Sequence, residues 1–245
     1  MRKTLIAALI AAVLSIAPRA APAETVDLAL VLAADVSRSV DEDEFDLQRK
    51  GYAAAFTDPR VLAAIQSGTH HAIAVMLVEW SGSESQRVVA GWTVIRDEES
   101  GGVFAGAVRA APRSFAGFTS ISAALDFSMK QFAKSGVTAD RRVIDVSGDG
   151  TNNGGRPVTD ARDAAVAAGV TINGLAIINP HPNPGFSAHT QPPGGIGDYY
   201  RRNVAGGPGN FVLVIKDFSS FADAIVQKLV AEIAASDAPQ RMALR

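Results

Sequence analysis

Asp35, Ser37 and Ser39 stand at alternate positions, directly after the apolar run Leu28-Ala29-Leu30-Val31-Leu32-Ala33-Ala34. One carboxylate followed by two hydroxyls suits a hard divalent cation, which takes oxygen ligands. Two further stretches carry oxygen donors far along the chain. Thr119 stands at the start of a helical pattern, and Asp149 lies in Ser147-Gly148-Asp149-Gly150-Thr151-Asn152-Asn153. Each has an ordinary structural explanation as well. Ser39 is a good helix N-cap, and Asp41, Glu42, Asp43 and Glu44 suit the first turn that follows. Thr119-Ser120 is also a common cap, and an Asp–Gly loop can be a wide turn. Capping and ligation are compatible, so the placement of the three stretches decides between them.

The elements that must place them follow from periodicity. Leu28–Ala34 reads as a strand buried on both faces. Val40–Asp58 carries a helical stripe of Phe45, Leu47, Tyr52, Ala55 and Phe56, and Arg60–Ser67 is a short helix. His71–Trp80 and Gln86–Ile95 are strands joined by Ser81–Ser85, a loop so short that they must be antiparallel. Glu98–Ala111 and Thr119–Lys134 read as helices, Arg142–Ser147 as a strand, Thr159–Ala168 as a helix and Val170–Ile178 as a strand. Asn179–Asp198 is rich in proline and glycine, and a loop of that length in a compact domain is usually functional or disordered. A short helix is expected over Gly197–Val204, a strand over Asn210–Ile215 and a last helix over Asp217–Ala235. The order predicts an α/β fold: an open, mostly parallel, doubly wound sheet of Rossmann-like architecture with one antiparallel edge strand. In such sheets ligands bind beyond the carboxyl ends of the strands. Asp35, Thr119 and Asp149 can therefore meet in one crevice. His181 and His189 are read as exposed loop residues, and His70 and His71 as surface residues rather than ligands.

Composition sets the setting. The 245 residues are 47% hydrophobic and 20% charged, enough for one good core. Arg2 and Lys3, the apolar stretch Leu5–Ala17 and Ala21-Pro22-Ala23 predict a signal peptide over residues 1–23, cut before Glu24. Cleavage leaves 245 − 23 = 222 residues, and loss of Arg2, Lys3 and Arg19 takes the formal charge from −2 to −5. There is no basic face for nucleic acid. No other stretch could span a membrane, so no stable insertion is expected after cleavage. The chain has no cysteine, and a domain of this size needs no disulfides after export. The expected location is periplasmic or secreted, with one domain over residues 24–235 and a disordered tail over 236–245.

Element order and loop placement resemble the von Willebrand factor type A (VWA) domain over roughly Thr25–Ala235. Glu79-Trp80-Ser81-Gly82, Gly117-Phe118-Thr119-Ser120 and Tyr199-Tyr200-Arg201-Arg202-Asn203-Val204 are similar to a group of exported bacterial proteins of unknown function, DUF1194. The resemblance implies a metal-ion-dependent adhesion site, with Asp35, Ser37, Ser39, Thr119 and Asp149 as ligands of one divalent cation: Mg²⁺ first, Mn²⁺ or Ca²⁺ as alternatives. Arg38 stands where that family commonly has glycine, and Ser147 where many relatives have threonine; neither change removes a ligand.

The implied function is a non-enzymatic interaction module that holds the acidic group of a protein or peptide through the ion. Two other readings compete. Gly148-Asp149-Gly150-Thr151-Asn152-Asn153 looks like the last motif of haloacid dehalogenase-type phosphatases, with Asp35 as nucleophile and Thr119 with Lys130 or Lys134 in the middle roles. That family needs a second aspartate two residues after the first, and Ser37 stands there; a serine hydroxyl does not serve as general acid–base near neutral pH. The third reading is a binding protein whose metal loops are vestigial.

Overall fold

The computed structural model describes residues 23–180 and 187–234. The expected signal peptide and C-terminal tail lie outside the described residues, but for Ala23. Six strands form one sheet in the order β3-β2-β1-β4-β5-β6. They are β1 (Glu24–Asp35), β2 (Ile73–Trp80), β3 (Gln86–Ile95), β4 (Val137–Gly148), β5 (Thr171–Ile177) and β6 (Val212–Ile215). Every neighbouring pair is parallel except β2 and β3. The expected fold class holds, with β1 in the interior of the sheet and β3 at its edge.

Side chains of β1 alternate between two cores, as the period of a strand requires. Leu28, Leu30 and Leu32 face one side, against helix α1 (Glu42–Ala55), helix α3 (Glu98–Ala110) and helix α8 (Phe221–Ala234). Tyr52, Phe56, Phe104 and Phe221 fill that layer, with Tyr52 edge-on to Phe221 and Phe56 edge-on to Phe104. Ala29, Val31 and Ala33 face the other side, against helix α4 (Ile121–Phe132) and helix α5 (Val158–Ala167). Small residues on this face of β1 leave room for Ile121, Leu125 and Tyr200. Helix α2 (Pro59–Gln66) is short, with Pro59 in its first turn and Asp58 as its cap.

Several boundaries differ from the sequence reading. Strand β4 starts at Val137, five residues before the expected Arg142. Thr138, Asp140 and Arg142 are exposed there, so the extension shows no apolar run to mark it. The stretch Asn179–Asp198 holds structure of its own: helix α6 (Ser187–Thr190) and the start of helix α7 (Gly195–Tyr199). Helix α7 runs straight into a π-helical turn, Tyr200–Val204. The last helix opens with a 3₁₀ turn, Phe218–Ser220, capped by Asp217.

Candidate metal centre

The helix caps settle what two of the candidate hydroxyls are not doing. Asp41, not Ser39, caps α1. Its carboxylate accepts from the Glu44 backbone N–H at 2.8 Å, and Glu44 accepts in return from Asp41 N–H at 2.9 Å. Ser120, not Thr119, caps α4, accepting from Ala123 N–H at 3.3 Å. Ser39 and Thr119 therefore keep their hydroxyls for other partners.

The first and third loops meet because their strands are neighbours, with Ala34 paired to Ser147. Ser39 Oγ donates to Asp149 Oδ1 at 2.5 Å, and Ser37 Oγ lies 3.1 Å from Ser39 Oγ. Asp35 Oδ1 accepts from Ser37 N–H at 2.8 Å. Its other oxygen, Oδ2, is buried without a hydrogen-bond partner. The second loop joins through the backbone. Arg38 N–H donates to Gly117 O at 3.1 Å, Asn153 N–H to Thr119 O at 2.8 Å, and Thr119 N–H to Asn153 Oδ1 at 2.8 Å. All five candidate side chains are at most 3% exposed.

Two carboxylates buried together are electrostatically unfavourable as anions. Burial pushes the Asp35 carboxyl up to about 8, with the charge of Asp149 adding to the rise and the Ser37 hydrogen bonds opposing it. Burial also raises Asp149, although Ser39 and Asn179 favour its charged form. Arg113 is near enough to lower Asp35 slightly, but its guanidinium is engaged by the carbonyls of Val36, Ser37 and Val40 and by Glu42. The two carboxylates accept from the Ser37 backbone N–H, the Ser39 hydroxyl and the Asn179 amide, all neutral donors. The donor chemistry and the orphaned Asp35 Oδ2 fit a divalent cation, which would favour both ionised carboxylates.

Four residues join the site that the sequence reading left out. Asn179, two residues past the end of β5, donates to Asp149 Oδ2 at 3.1 Å and to Ser39 O at 3.2 Å. Asn153 fixes the second loop as above. Tyr200, fully buried, has its hydroxyl beside Gly148: a Cβ built there would lie 2.7 Å from that hydroxyl and 2.8 Å from Asp35 Oδ2. The fourth is His189, and here the expectation of an exposed loop histidine is overturned. Its ring is half-buried, with Nε2 2.9 Å from Thr119 Oγ1 and Nδ1 2.9 Å from Thr151 Oγ1. Burial lowers its pKa, which favours the neutral imidazole. The Tyr199–Tyr200 pair was visible in the sequence as part of a similarity, but nothing in its spacing assigned it to the site. His181 lies outside the described residues.

A second cluster lies at the opposite end of the sheet. Single ligand atoms of Asp27, His70 and Asp140 all fall within 4.8 Å of one another. Asp27 already accepts from His70 N–H at 2.9 Å, and His70 Nε2 is 3.2 Å from Asp140 Oδ2.

The sheet order, the flanking helices and the three loops at one edge define a VWA-like fold. The chain belongs to the family described as protein of unknown function (DUF1194), whose model matches residues 25–237. No curated protein matches. Among solved structures, proximal thread matrix protein 1 from the mussel byssus is similar at 16% identity and a TM-score of 0.58, covering 86% of this chain and 47% of that one. A von Willebrand factor type A protein from Catenulispora acidiphila gives 16% identity, a TM-score of 0.55 and coverage of 86% and 43%. BatB from Bacteroides thetaiotaomicron gives 17% identity, a TM-score of 0.52 and coverage of 85% and 99%. The chain thus spans about half the length of the mussel protein it matches. Among the described residues no helix is long and apolar enough to cross a membrane.

Proposed function

We propose that the protein is an exported interaction module that holds an acidic group of a protein or peptide partner through a divalent cation. In this reading residues 1–23 are a cleaved signal peptide, residues 24–235 form the working domain, and the domain acts in the periplasm or outside the cell. Asp35, Ser37, Ser39, Thr119 and Asp149 hold the ion. The single observation that carries the reading is the buried pair Asp35 and Asp149, with Asp35 Oδ2 left without a partner. Burying an acid without compensation is costly, and a bound cation supplies the compensation.

The ion's chemistry here is that of a bridge. Two carboxylates neutralise it and three hydroxyls add no charge. With some of the five oxygens acting through water, at least one of about six positions stays exchangeable for an acid from a partner. An all-oxygen set favours Mg²⁺, with Mn²⁺ and Ca²⁺ as the alternatives. One structure of the mussel protein carries zinc at its MIDAS motif, so zinc belongs in the same trial.

The phosphatase alternative lacks a lysine beside Thr119. Lys130 and Lys134 are exposed on the far half of α4 and beyond it. At 1.5 Å per residue, Lys130 lies about 16 Å along the helix from Thr119. Ser37 replaces the general acid–base.

The test is capture of partners from the exported fraction, with and without chelator. Binding that needs the cation and is lost in Asp149→Ala supports the reading. Metal-dependent hydrolysis of a phosphate ester, abolished by Asp35→Asn, would replace it with the phosphatase.

A further inference from the structure

We propose that Asp27, His70 and Asp140 form a second metal site, at the amino end of the sheet, which takes one Zn²⁺ and pins the starts of β1, β2 and β4 together. It is independent of the ion in the crevice. Asp27 and Asp35 are eight residues apart on β1, about 26 Å along a strand that rises about 3.3 Å per residue. No ion can be shared between the two ends.

Three segments far apart in sequence meet here. Asp27 is near the start of β1, His70 lies in the turn before β2, and Asp140 is in the first half of β4. Strand β1 runs between β2 and β4, so the three side chains share one end of the sheet. One ligand atom from each lies within 4.8 Å of the other two. His70 Nε2 and Asp140 Oδ2 are 3.2 Å apart. Neighbouring ligands on a zinc tetrahedron with bonds of about 2.0 Å are about 3.3 Å apart. That pair already has the spacing the ion requires. The side chains of His70 and Asp140 are 29% and 57% exposed, so both can turn the remaining distance onto Asp27.

Asp27 is the fixed member. It is buried, and its oxygens accept from His70 N–H at 2.9 Å and Ala72 N–H at 3.4 Å. Both donors are neutral, and each carboxylate oxygen has a second lone pair for a metal. The turn leaves room beside it. A Cβ on Gly68 would lie 2.3 Å from Asp27 Oδ2, so any side chain there would fill the space against that oxygen. The neighbouring cations are engaged elsewhere. Arg141 donates to the carbonyls of Glu232 and Ile233, and Arg142 to that of Ala168. His71 places its Nδ1 2.7 Å from Gln66 O, which leaves His70 as the imidazole that faces the acids.

The contact between His70 and Asp140 leaves both ligands available. In the metal-free protein Nε2–H donates and Asp140 only accepts. When an ion binds, the ring takes its other neutral tautomer, with the proton on Nδ1, and Nε2 offers its lone pair. Asp140 Oδ2 offers one of its own. The ion thus takes the place of the shared proton.

The donor set names the metal. One imidazole nitrogen and two carboxylate oxygens suit zinc, which takes three protein ligands and a water in an open fourth position. Mg²⁺ prefers oxygen ligands alone, in an octahedron. The chain has no cysteine, so a metal link across positions 27, 70 and 140 ties distant segments where a disulfide cannot.

The experiment uses the Asp149→Ala protein, stripped with chelator, in which the crevice has lost a ligand. Calorimetric titration with Zn²⁺ should show one site, and titration with Mg²⁺ none of comparable affinity. His70→Gln and Asp140→Asn, each added to Asp149→Ala, should lower Zn²⁺ affinity at least about 10-fold, since even residues behind a ligand cost roughly 10–100-fold. His71→Gln should leave it unaltered. Co²⁺ in place of Zn²⁺ should give the visible absorption of a four-coordinate ion in Asp149→Ala and lose it with His70→Gln. In thermal melts Asp35→Ala should keep a rise with Zn²⁺ but not with Mg²⁺, which only the crevice takes. Circular dichroism in EDTA checks folding. Asp35→Ala replaces Asp149→Ala as the background if the latter does not fold, and the exposed Asp140→Asn carries the comparison if His70→Gln does not. Zinc binding unaltered by both substitutions marks an adventitious ion only and overturns the proposal. So does the absence of Zn²⁺ binding in both backgrounds. Neither result touches the crevice reading, which stands or falls with Mg²⁺ in wild type.

Discussion

Ser39 and Asp149 are 110 residues apart in sequence and 2.5 Å apart in the fold, hydroxyl to carboxylate. Their strands, β1 and β4, lie side by side with the same direction, so both chains leave the sheet at the same edge. That bond ties one acidic loop to another, which is unfavourable unless a cation or a proton intervenes. Much of the site's behaviour follows from this conflict.

Metal should therefore stabilise the fold. At a free concentration about 100 times the dissociation constant, binding adds about 2.7 kcal/mol. For a domain of this length that is a rise in melting temperature on the order of 5–10 °C. Asp35→Ala should abolish the rise, and in EDTA it should melt no lower than wild type, because it removes one of two facing acids. Thr119→Ala should reduce the rise less, since it removes a neutral ligand. Melts in EDTA and in millimolar Mg²⁺, Mn²⁺, Ca²⁺ or Zn²⁺ decide. Equal wild-type melting temperatures in all of them would mean that the loops are vestigial.

Gly148→Ala tests how tightly the site is packed. Its new methyl would stand 2.8 Å from Asp35 Oδ2 and 2.7 Å from the Tyr200 hydroxyl. Tyr200 sits at the end of a rigid ring in a full core, so it yields little. A loss of about 1–3 kcal/mol is expected, as for overpacking elsewhere, together with weaker metal binding because the Asp35 carboxylate is displaced. Urea unfolding in EDTA reads the first effect and metal titration the second. An unchanged urea midpoint would show that the cradle is looser than it looks.

The fold was legible because Leu28–Ala34 is long, apolar and unbroken, and because Ser81–Ser85 is too short for anything but a hairpin. Strand β4 was cut short because its first half, from Val137 to Arg142, is exposed at alternate positions and reads as loop. The loops of Asp35 and Asp149 were legible as strand ends, but Thr119 lies between two helices, so strand ends alone did not place it. His189, Asn179 and Tyr200 were not legible. Each reaches the site from the Asn179–Val204 region, whose path depends on tertiary contacts: a four-residue helix, a π-helical turn and a hydrogen bond to Asp149. Periodicity carries no signal for such contacts. Asp41 displaced Ser39 as the cap of α1 because Asp41 and Glu44 complete a capping box, a pattern present in the sequence two residues past the serine.

Arg49 and Glu79 set the position of the second loop. Arg49 bonds to Glu79 and to the Val108 carbonyl, and Glu79 Oε2 accepts from Ser114 N–H at 2.9 Å. Both side chains are buried. The pair thus joins α1, the end of β2 and the segment that leads to Thr119. Removing one partner of a buried pair leaves the other uncompensated, at a cost of about 3–5 kcal/mol. Glu79→Ala should lose about that much, Glu79→Gln less, and both should bind metal more weakly through the displaced loop. Denaturant midpoints at constant slope measure the cost. A Glu79→Ala midpoint within error of wild type would remove this pair from the account.

Asp145 should give the fold a pH dependence separate from the metal loops. It is buried with Lys228, 2.7 Å away, and Lys228 also bonds Glu232 at 2.5 Å. Asn173 donates to Glu232 at 2.8 Å. One ammonium thus faces two carboxylates. Burial pushes Asp145 up to about 7, the charge of Glu232 adds to the rise, and Lys228 opposes it. A folded-state pKa above the ordinary value means that the native protein binds more protons than the unfolded chain between about pH 4 and pH 7. Stability on this account is greatest at the acid end of that window and is lost as pH rises through it. At about 1.4 kcal/mol per pH unit over roughly three units, the ceiling is about 4 kcal/mol. Asp145→Asn keeps the shape but cannot ionise, leaving Lys228 and Glu232 as a neutral pair. The variant should therefore gain on wild type steadily from pH 5 to about pH 7 and level off by pH 8. Urea unfolding of both proteins in EDTA, at four pH values across that range, isolates the effect, because contributions from Asp35 and Asp149 are common to the two. Parallel stability curves would show that Asp145 stays ionised throughout, held by Lys228 against its burial.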